Sequence, residues 1–199
     1  MEESRRRGIR EWYERRFLFL GKLLAKLGIS PNYITLSSIL VMVMSTYFFW
    51  LHNIPLSISF FLIAVFLDVL DGSLARASGK VTKFGMLLDH FSDRCVEFLL
   101  VLGLVLGGYI PGRLGVLLFF SMILPSYVRA RGEAISGISG EGIGFFERKE
   151  KIGSLLAGIL LEIWIGGVLY FVAILVSVFS LITAGQRIYF YYKILKNKE

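Results

Sequence analysis

Four aspartates are spaced so that they form two pairs, each on one face of a helix. Asp68 and Asp71 are three positions apart, and Asp89 and Asp93 are four apart, the spacings of neighbours on a helical surface. Both pairs lie in apolar stretches, where an ionised carboxylate in a membrane span costs roughly 2.5–3.5 kcal/mol. A bound divalent cation offsets that cost and the mutual repulsion. Because the ligands are all oxygen, the pattern predicts one or two Mg²⁺, Mn²⁺ or Ca²⁺ ions and not zinc.

Nearby cations allow a second interpretation of the aspartates. The four acids could simply pair with Arg76, Arg94 and Lys83. We favour the metal because carboxylates within membrane spans are usually functional. Arg76 either grips a phosphate with its guanidinium or serves as an interfacial anchor. Arg94 and Glu97 are three residues apart and are expected to pair with each other in a structural role.

The apolar stretches must form the helices that position these acids. Hydrophobic residues make up 55% of the 199-residue chain, and about 20 consecutive apolar residues cross a bilayer. Six spans are predicted, near 34–51, 57–78, 84–108, 112–131, 152–170 and 171–192. The last two are separated by a short turn near Gly166 and Gly167. The predicted fold is therefore an all-α polytopic membrane protein, with six transmembrane helices in one catalytic domain, residues 34–199.

Lys and Arg are unevenly distributed among the connections between these spans. They are concentrated in residues 1–33, 76–83 and 129–151 and near the C-terminus, and they are rare in 51–57 and 108–112. The positive-inside rule therefore predicts a multi-pass protein of the cell membrane, with both termini and the aspartates on the cytoplasmic side. We assign the net charge of +7 to the membrane surface and to anionic substrates, not to nucleic acid.

The N-terminal segment 1–33 is predicted to be cytoplasmic and to contain an amphipathic helix. Within residues 9–28, apolar side chains recur at helical spacing beside basic ones, which is typical of a helix lying in the membrane interface. The alternative is a solvated helix that docks on the other helices.

Residues 68–93 carry a dense motif around the aspartates. They fit D-x2-D-G-x2-A-R-x8-G-x3-D-x3-D at every fixed position: Asp68, Asp71, Gly72, Ala75, Arg76, Gly85, Asp89 and Asp93. This pattern resembles the signature of the CDP-alcohol phosphotransferase family, whose members share a six-span fold. The resemblance implies an enzyme of phospholipid synthesis that moves the lipid phosphate of a CDP-activated lipid to an alcohol and releases CMP.

The same resemblance implies roles for individual residues. The four aspartates would bind two ions, Mg²⁺ or Mn²⁺, and Asp93 would also be the general base, with His90 as its competitor. The CDP moiety would be contacted by residues of the signature and of segment 30–35: Asn32, Thr35, Gly72, Arg76 and Thr82. For that segment, the alternative is a helix start with Ser30 and Pro31 as its capping residues. The resemblance also implies a homodimer.

Two basic segments indicate the acceptor alcohol. Residues 126–134 (SYVRARGEA) and 147–151 (ERKEK) resemble the phosphatidylinositol-phosphate synthase branch of the family, including its archaetidylinositol-phosphate counterpart, which uses CDP-archaeol. That resemblance implies a phosphorylated polyol, inositol 1-phosphate, as acceptor. Its phosphate would be held by four basic residues: Arg129, Arg148, Lys151 and Arg187. Lys149 and Lys151 stand where the branch usually has Pro and Arg, and Lys lacks the bidentate fork of Arg.

Three other functions are compatible with parts of the pattern. The nearest is a family member that uses glycerol 3-phosphate as acceptor. A cation channel or transporter built around the aspartates is a different class, but these acids cluster at one face of the membrane and not at its midplane. The intact motif disfavours a catalytically inactive scaffold. The glycine-rich residues 137–144 form either a mobile lid or a plain flexible connection.

Overall fold

A computed structural model describes residues 19–196 of the chain, and this part is entirely helical, without a β-strand. The helices are α1 (19–26), α2 (Pro31–Trp50), α3 (Ile54–Ala77), α4 (Lys83–Leu106), α5 (Gly112–Ser136), α6 (Arg148–Glu162) and α7 (Val168–Lys196). The predicted all-α class is therefore confirmed for the described residues.

Four of these helices are long and apolar enough to cross a membrane: α2, α3, α5 and α7. The 24 residues of α4 would suffice in length, but this helix carries the charged residues around Asp89 and Asp93. The 15 residues of α6 extend over only about 22 Å at 1.5 Å per residue, less than the roughly 30 Å of a bilayer core. Length and composition alone therefore identify four membrane helices in residues 19–196.

The predicted fifth span, 152–170, is wrong at its C-terminal end. Helix α6 ends at Glu162 and α7 begins at Val168. The Glu162 carboxylate accepts hydrogen bonds from the backbone N–H groups of Gly167 (2.7 Å) and Leu169 (2.8 Å). Gly167 also has a φ of 86°, which favours glycine. The chain therefore breaks where the paired glycines predicted a turn, and the Glu162 carboxylate caps the free N–H groups at the start of α7.

Helix α1 is the described part of the predicted amphipathic segment, and residues 9–18 of that segment lie outside the described residues. Its Gly21 packs directly on α3, because a Cβ at that position would lie 2.8 Å from the Ser73 carbonyl oxygen. Several apolar side chains in or next to α1 are exposed: Phe19, Leu20, Leu23 and Leu27. One side of α1 is thus docked on the protein while apolar side chains face outward.

The chain divides into two compact units. The first combines the chain up to Phe48 with Pro55–Leu100, and the second combines Phe49–Ile54 with the chain from Val101 onward. The signature aspartates belong to the first unit, and the four predicted acceptor-binding residues belong to the second.

Buried hydroxyl groups connect the helices of the first unit. The Ser45 hydroxyl donates to the Ser57 carbonyl of α3 at 2.8 Å, and the Thr46 hydroxyl lies 2.8 Å from the Leu99 carbonyl of α4. Hydroxyls that bond to a neighbouring helix satisfy buried backbone oxygens in an apolar environment. Helix α2 is therefore the common partner of α3 and α4.

Small residues allow close packing in the second unit. A Cβ at Gly132 of α5 would overlap the Tyr191 ring of α7, and a Cβ at Gly158 of α6 would press on Val172 at 3.1 Å. The Tyr191 hydroxyl lies 3.4 Å from the Arg129 carbonyl. Helices α5 and α6 are thus both packed on α7, which brings the basic residues of all three elements into one region.

Candidate active site

Three of the predicted metal ligands lie together. Oxygen atoms of Asp68 on α3 and of Asp89 and Asp93 on α4 are all within 4.8 Å of one another. Asp93 is buried, and the other two are half-buried. Carboxylates so close together repel strongly unless a cation lies between them, and an all-oxygen donor set is what Mg²⁺ and Mn²⁺ prefer. The residues present therefore fit a divalent metal.

Asp71, the fourth aspartate of the signature, has a different environment. It is buried, and its carboxylate accepts a hydrogen bond from the Thr35 hydroxyl of α2. The same hydroxyl lies 3.2 Å from the Pro31 carbonyl. Thr35, predicted as a contact of the CDP moiety, is therefore also the residue that holds Asp71. The three-carboxylate cluster does not include Asp71, whose role as a metal ligand stays a prediction.

A cavity of about 330 Å³ borders these carboxylates, within the size range of small-molecule sites. Asp71 and Asp89 line it. So do all five residues predicted to contact the CDP moiety: Asn32, Thr35, Gly72, Arg76 and Thr82. Lys80, Val81 and Met86 complete part of the wall and were not predicted, because the family resemblance assigned no role to them. The predicted nucleotide residues thus form one concave surface.

Local interactions set the positions of several cavity residues. The Arg76 guanidinium donates to the Ser73 hydroxyl at 3.2 Å. Thr82 caps α4, because its hydroxyl accepts the N–H of Gly85 at 2.9 Å. A Cβ at Gly85 would lie 3.1 Å from that hydroxyl and 3.6 Å from the Asn32 side-chain oxygen. Glycine therefore keeps this wall of the cavity thin where α4 begins.

Two of the cations near the aspartates, Arg76 and Arg94, bond to side chains other than the aspartates, and Arg94 is also paired with Asp93. Arg94 forms a 2.7 Å ion pair with Glu97, which is fully buried, and lies 3.7 Å from Asp93. The predicted pairing of Arg94 with Glu97 is therefore confirmed. Arg76 bonds to Ser73 as described. His90, the competing base, is exposed; neither it nor Asp93 is among the residues that line the cavity.

Arg187 of α7, predicted to bind the acceptor phosphate, is a buried hub of hydrogen bonds. Its guanidinium donates to the carbonyls of Ile143 (2.8 Å) and Pro125 (2.9 Å) and to the Glu147 carboxylate (3.3 Å). Only 5% of its surface is exposed. Glu147 is the N-cap of α6, so Arg187 lies beside the first turn of that helix, where Arg148 is located.

Lys151 is also buried, and its ammonium group donates to the Met122 carbonyl at 3.0 Å. Met122 and Pro125 both lie on α5, where the proline supplies no backbone N–H and disturbs the helical hydrogen-bond ladder. Lys151 and Arg187 each donate to a backbone oxygen in this disturbed turn. Both cations therefore have a structural role that sequence reasoning did not predict. A proline inside α5 was the one feature of the sequence that marked this turn as irregular.

Arg129 is paired with Glu133 one turn away, through an ion pair of 2.9 Å. The same carboxylate accepts the backbone N–H of Gly140 at 2.9 Å and the Ser139 hydroxyl at 3.3 Å. Farther along, the N–H of Phe145 donates to the Gln186 side chain at 3.3 Å. The glycine-rich connection is thus attached to α5 at Ser139 and Gly140, and both alternatives for it, a mobile lid and a plain flexible connection, stay predictions.

A side-chain capping motif accounts for the two glutamates of the ERKEK segment. The Glu150 carboxylate accepts the N–H of Glu147, and the Glu147 side chain accepts the N–H of Glu150. This reciprocal pattern is a capping box. It could have been recognised from the three-residue spacing of two glutamates at the start of an apolar helix, but Glu147 and Glu133 were not among the predicted site residues.

Comparisons with known proteins agree with this site. The sequence profile of the CDP-alcohol phosphatidyltransferase family matches residues 28–184. An archaetidylinositol phosphate synthase of Pyrococcus horikoshii is 39% identical over 171 residues, which cover 85% of this chain and 87% of the relative. The match thus extends far beyond the short signature around the aspartates.

Solved structures lead to the same family. The crystal structure of Mycobacterium tuberculosis phosphatidylinositol phosphate synthase with CDP-DAG bound aligns with a TM-score of 0.80 at 26% sequence identity, covering 89% of this chain and 94% of that chain. The same enzyme in complex with manganese and citrate gives a TM-score of 0.79 at 26% identity, covering 88% of each chain. The chain therefore belongs to the CDP-alcohol phosphatidyltransferase family.

Proposed function

We propose that this protein transfers the lipid phosphate of a CDP-activated lipid to inositol 1-phosphate and releases CMP. The observation that carries the proposal is the cavity of about 330 Å³, which is lined by all five predicted CDP contacts and borders the carboxylate cluster. The acceptor is supported by relatives named for inositol phosphate synthesis. They include an archaetidylinositol phosphate synthase and an enzyme with CDP-DAG bound, so CDP-archaeol and CDP-diacylglycerol are both candidate donors.

Asp68, Asp89 and Asp93, together with Asp71, would hold one or two divalent ions. Bound Mg²⁺ or Mn²⁺ would supply charge neutralisation at the diphosphate and at the leaving CMP. A relative in complex with manganese supports a divalent cation. We propose two ions, and Mg²⁺ as the physiological metal because it is the usual partner of phosphate substrates held by carboxylates.

The cavity residues of this chain would bind and orient the CDP-lipid. Arg76 and Lys80 present positive charge to the cavity, and Arg76 can bond a phosphate bidentately. The amino-terminal end of α4, capped by Thr82, also favours an anion there. Gly72 lies on the wall with open space, because a Cβ there would meet only the Arg76 guanidinium at 3.5 Å. These features together suit a diphosphate and a nucleoside.

Asp93 is the proposed general base. In the reaction, a hydroxyl oxygen of the acceptor forms a bond to the phosphorus attached to the lipid, and the bond from that phosphorus to the CMP oxygen breaks. The hydroxyl proton passes to the Asp93 carboxylate, and CMP leaves with the electron pair of the broken bond. Asp93 is buried and close to Arg94 (3.7 Å), which restricts its orientation. Positioning of the reactants then supplies much of the rate.

Replacement of the base tests this mechanism. Asp93→Asn removes the proton acceptor but keeps the shape of the side chain, so we expect CMP release at saturating Mg²⁺ to fall by about 10²- to 10⁴-fold. Binding of CDP-lipid should change only a few-fold. Glu162→Gln, at the carboxylate that caps α7, is the matched control and should keep activity within about twofold, as expected for a change outside the named mechanisms. Near-normal turnover of Asp93→Asn would exclude Asp93 as the base.

The acceptor phosphate is the proposed ligand of Arg129, Arg148, Lys151 and Arg187. The burial of Lys151 and Arg187 is favourable for this role, since cations in a low-dielectric environment bind phosphate strongly. Arg129 donates to Glu133 through its Nε atom, and the opposite edge of the guanidinium carries the two terminal nitrogens that form bidentate bonds. Arg187 and Lys151 also hold α5, so their removal would damage the fold as well as the site.

Arg129 is therefore the best position for a test of the acceptor site. Loss of a charged hydrogen bond costs about 1.5–3 kcal/mol, so Arg129→Gln should raise the KM for inositol 1-phosphate by about ten- to a hundredfold. The KM for CDP-lipid should change by less than about twofold, a shift under roughly 0.4 kcal/mol. Arg131→Gln, at an exposed arginine two residues along α5, is the control. Equal increases in both KM values would contradict the assignment.

We further propose six transmembrane spans, with α4 and α6 as the additional two. Their charged or short segments would be accommodated by the substrate site and by the neighbouring helices. Both termini and the aspartates would face the cytoplasm, as the distribution of Lys and Arg indicates. The homodimer also stays a prediction, which light scattering in detergent can test against the monomer mass of 22.5 kDa.

Cysteine labelling tests the proposed orientation. In a Cys95→Ala background, Asn53→Cys lies in the connection between α2 and α3, and Glu141→Cys lies in the connection between α5 and α6; both positions are exposed. A membrane-impermeant maleimide should label Asn53→Cys in intact cells and Glu141→Cys only after permeabilisation. The reverse pattern would show that the orientation is inverted. Labelling of both positions in intact cells would place them on the same side of the membrane and exclude the three crossings, α3, α4 and α5, that we propose between them.

A further inference from the structure

We propose that two buried serines, Ser38 on α2 and Ser92 on α4, are positioning residues for the metal-binding carboxylates. The inference rests on the proposed metal role of the aspartates. In this account, the serines hold α4 against α2, and α2 in turn holds Asp71 of α3, so that the carboxylates of two helices keep a fixed separation. Neither serine is at a fixed position of the family signature, and neither lines the cavity.

Three short contacts form the core of this network. The hydroxyl oxygens of Ser38 and Ser92 are 3.1 Å apart, and both side chains are fully buried. The Ser38 hydroxyl lies 2.7 Å from the Thr35 carbonyl, and the Ser92 hydroxyl lies 3.3 Å from the same carbonyl. One backbone oxygen of α2 is therefore shared by hydroxyls from two helices.

Thr35 extends the network to the carboxylates of α3. Its hydroxyl donates to Asp71, and both residues are buried. At the other end, Ser92 directly precedes Asp93 and follows Asp89 by three positions. A continuous path of buried contacts thus runs from Asp71, through α2, to the backbone that carries the two aspartates of α4.

Electrostatics explains why such a path matters for metal binding. The carboxylates repel one another in the metal-free protein, and that force tends to separate α3 from α4. Hydrogen bonds in a buried, low-dielectric environment are strong, and the loss of one partner leaves the other unsatisfied. Ser38 and Ser92 therefore resist the separation and preserve a preformed site, which binds metal more tightly than a site that must be assembled.

Other hydroxyls on α2 provide a comparison with a purely structural role. Thr46 also joins α2 to α4, through the Leu99 carbonyl at 2.8 Å. It lies eight residues beyond Ser38, about 12 Å along the helix. Thr46 thus has the same kind of interhelical contact as Ser92. It lies about two helical turns farther along α2 than Ser38, which is part of the network beside the aspartates.

Mn²⁺ binding to the purified protein in detergent, measured by electron paramagnetic resonance without substrates, tests the proposal. Ser92→Ala should weaken Mn²⁺ binding about five- to tenfold. Ser38→Ala keeps the contact of Ser92 with the Thr35 carbonyl and should weaken binding less, and the double variant should be little weaker than Ser92→Ala, because Ser92→Ala already removes the contact between the two serines. The control Thr46→Val removes a hydroxyl without changing the shape of the side chain. It should keep the Mn²⁺ affinity within about twofold, even if its melting temperature falls as far as that of Ser92→Ala.

Several outcomes would overturn the proposal. The serines would be general packing residues if Ser92→Ala leaves the Mn²⁺ affinity unchanged or if Thr46→Val loses as much affinity. The same conclusion would follow if the losses in the double variant are additive. If Ser92→Ala does not fold, Ser38→Ala alone decides between the two results. Absence of Mn²⁺ binding to the wild-type protein would also overturn it. Wild-type protein that binds Mn²⁺ but releases no CMP would contradict the proposed reaction and leave the positioning role intact.

Discussion

Repulsion among carboxylates inside a helical membrane protein is the constraint on which the rest of this structure depends. Asp68, Asp89 and Asp93 have oxygen atoms within 4.8 Å of one another, and Asp71 is buried nearby on the same helix as Asp68. Such an arrangement is costly in an apolar environment unless a cation is bound and the helices are held together. The contacts of Ser92 with Ser38 and with the Thr35 carbonyl are the ones that we propose to supply that restraint, and the cost explains why the cluster indicates function.

The second unit contains buried charges of the opposite sign, the cations Lys151 and Arg187. Pro125 supplies no backbone N–H to α5, and Arg187 and Lys151 donate to the backbone oxygens of Pro125 and Met122 in the same turn. Buried cations that already hold the backbone are well ordered, and an ordered cation loses little side-chain entropy when it binds an anion. The same residues can therefore stabilise the fold and present positive charge to a phosphate. This dual use explains why removal of Arg129 is a cleaner perturbation than removal of Arg187.

Much of this architecture follows from the sequence, and the exceptions have identifiable physical causes. The spacing of the aspartates within α3 and α4 predicted a shared cluster, because helical periodicity is a local property. The five residues predicted to contact CDP all line one cavity. The contact of Asp71 with Thr35 depends on how α2 packs, which no local pattern reports. The start of α7 is capped by the Glu162 side chain, and the roles of Lys151 and Arg187 depend on a helix far away in sequence. Tertiary contacts and capping, not propensity, account for these differences.

The identity of the reaction is the central claim, and CMP release by the purified protein tests it most directly. The assay supplies Mg²⁺ and a CDP-lipid, CDP-diacylglycerol or CDP-archaeol, and offers inositol 1-phosphate, free inositol, glycerol 3-phosphate or serine separately. The account predicts CMP release with inositol 1-phosphate and little with the other three. CMP release with glycerol 3-phosphate instead would preserve the chemistry of the aspartates and contradict the acceptor. Absence of CMP release with every acceptor and both lipids would contradict the proposed reaction itself.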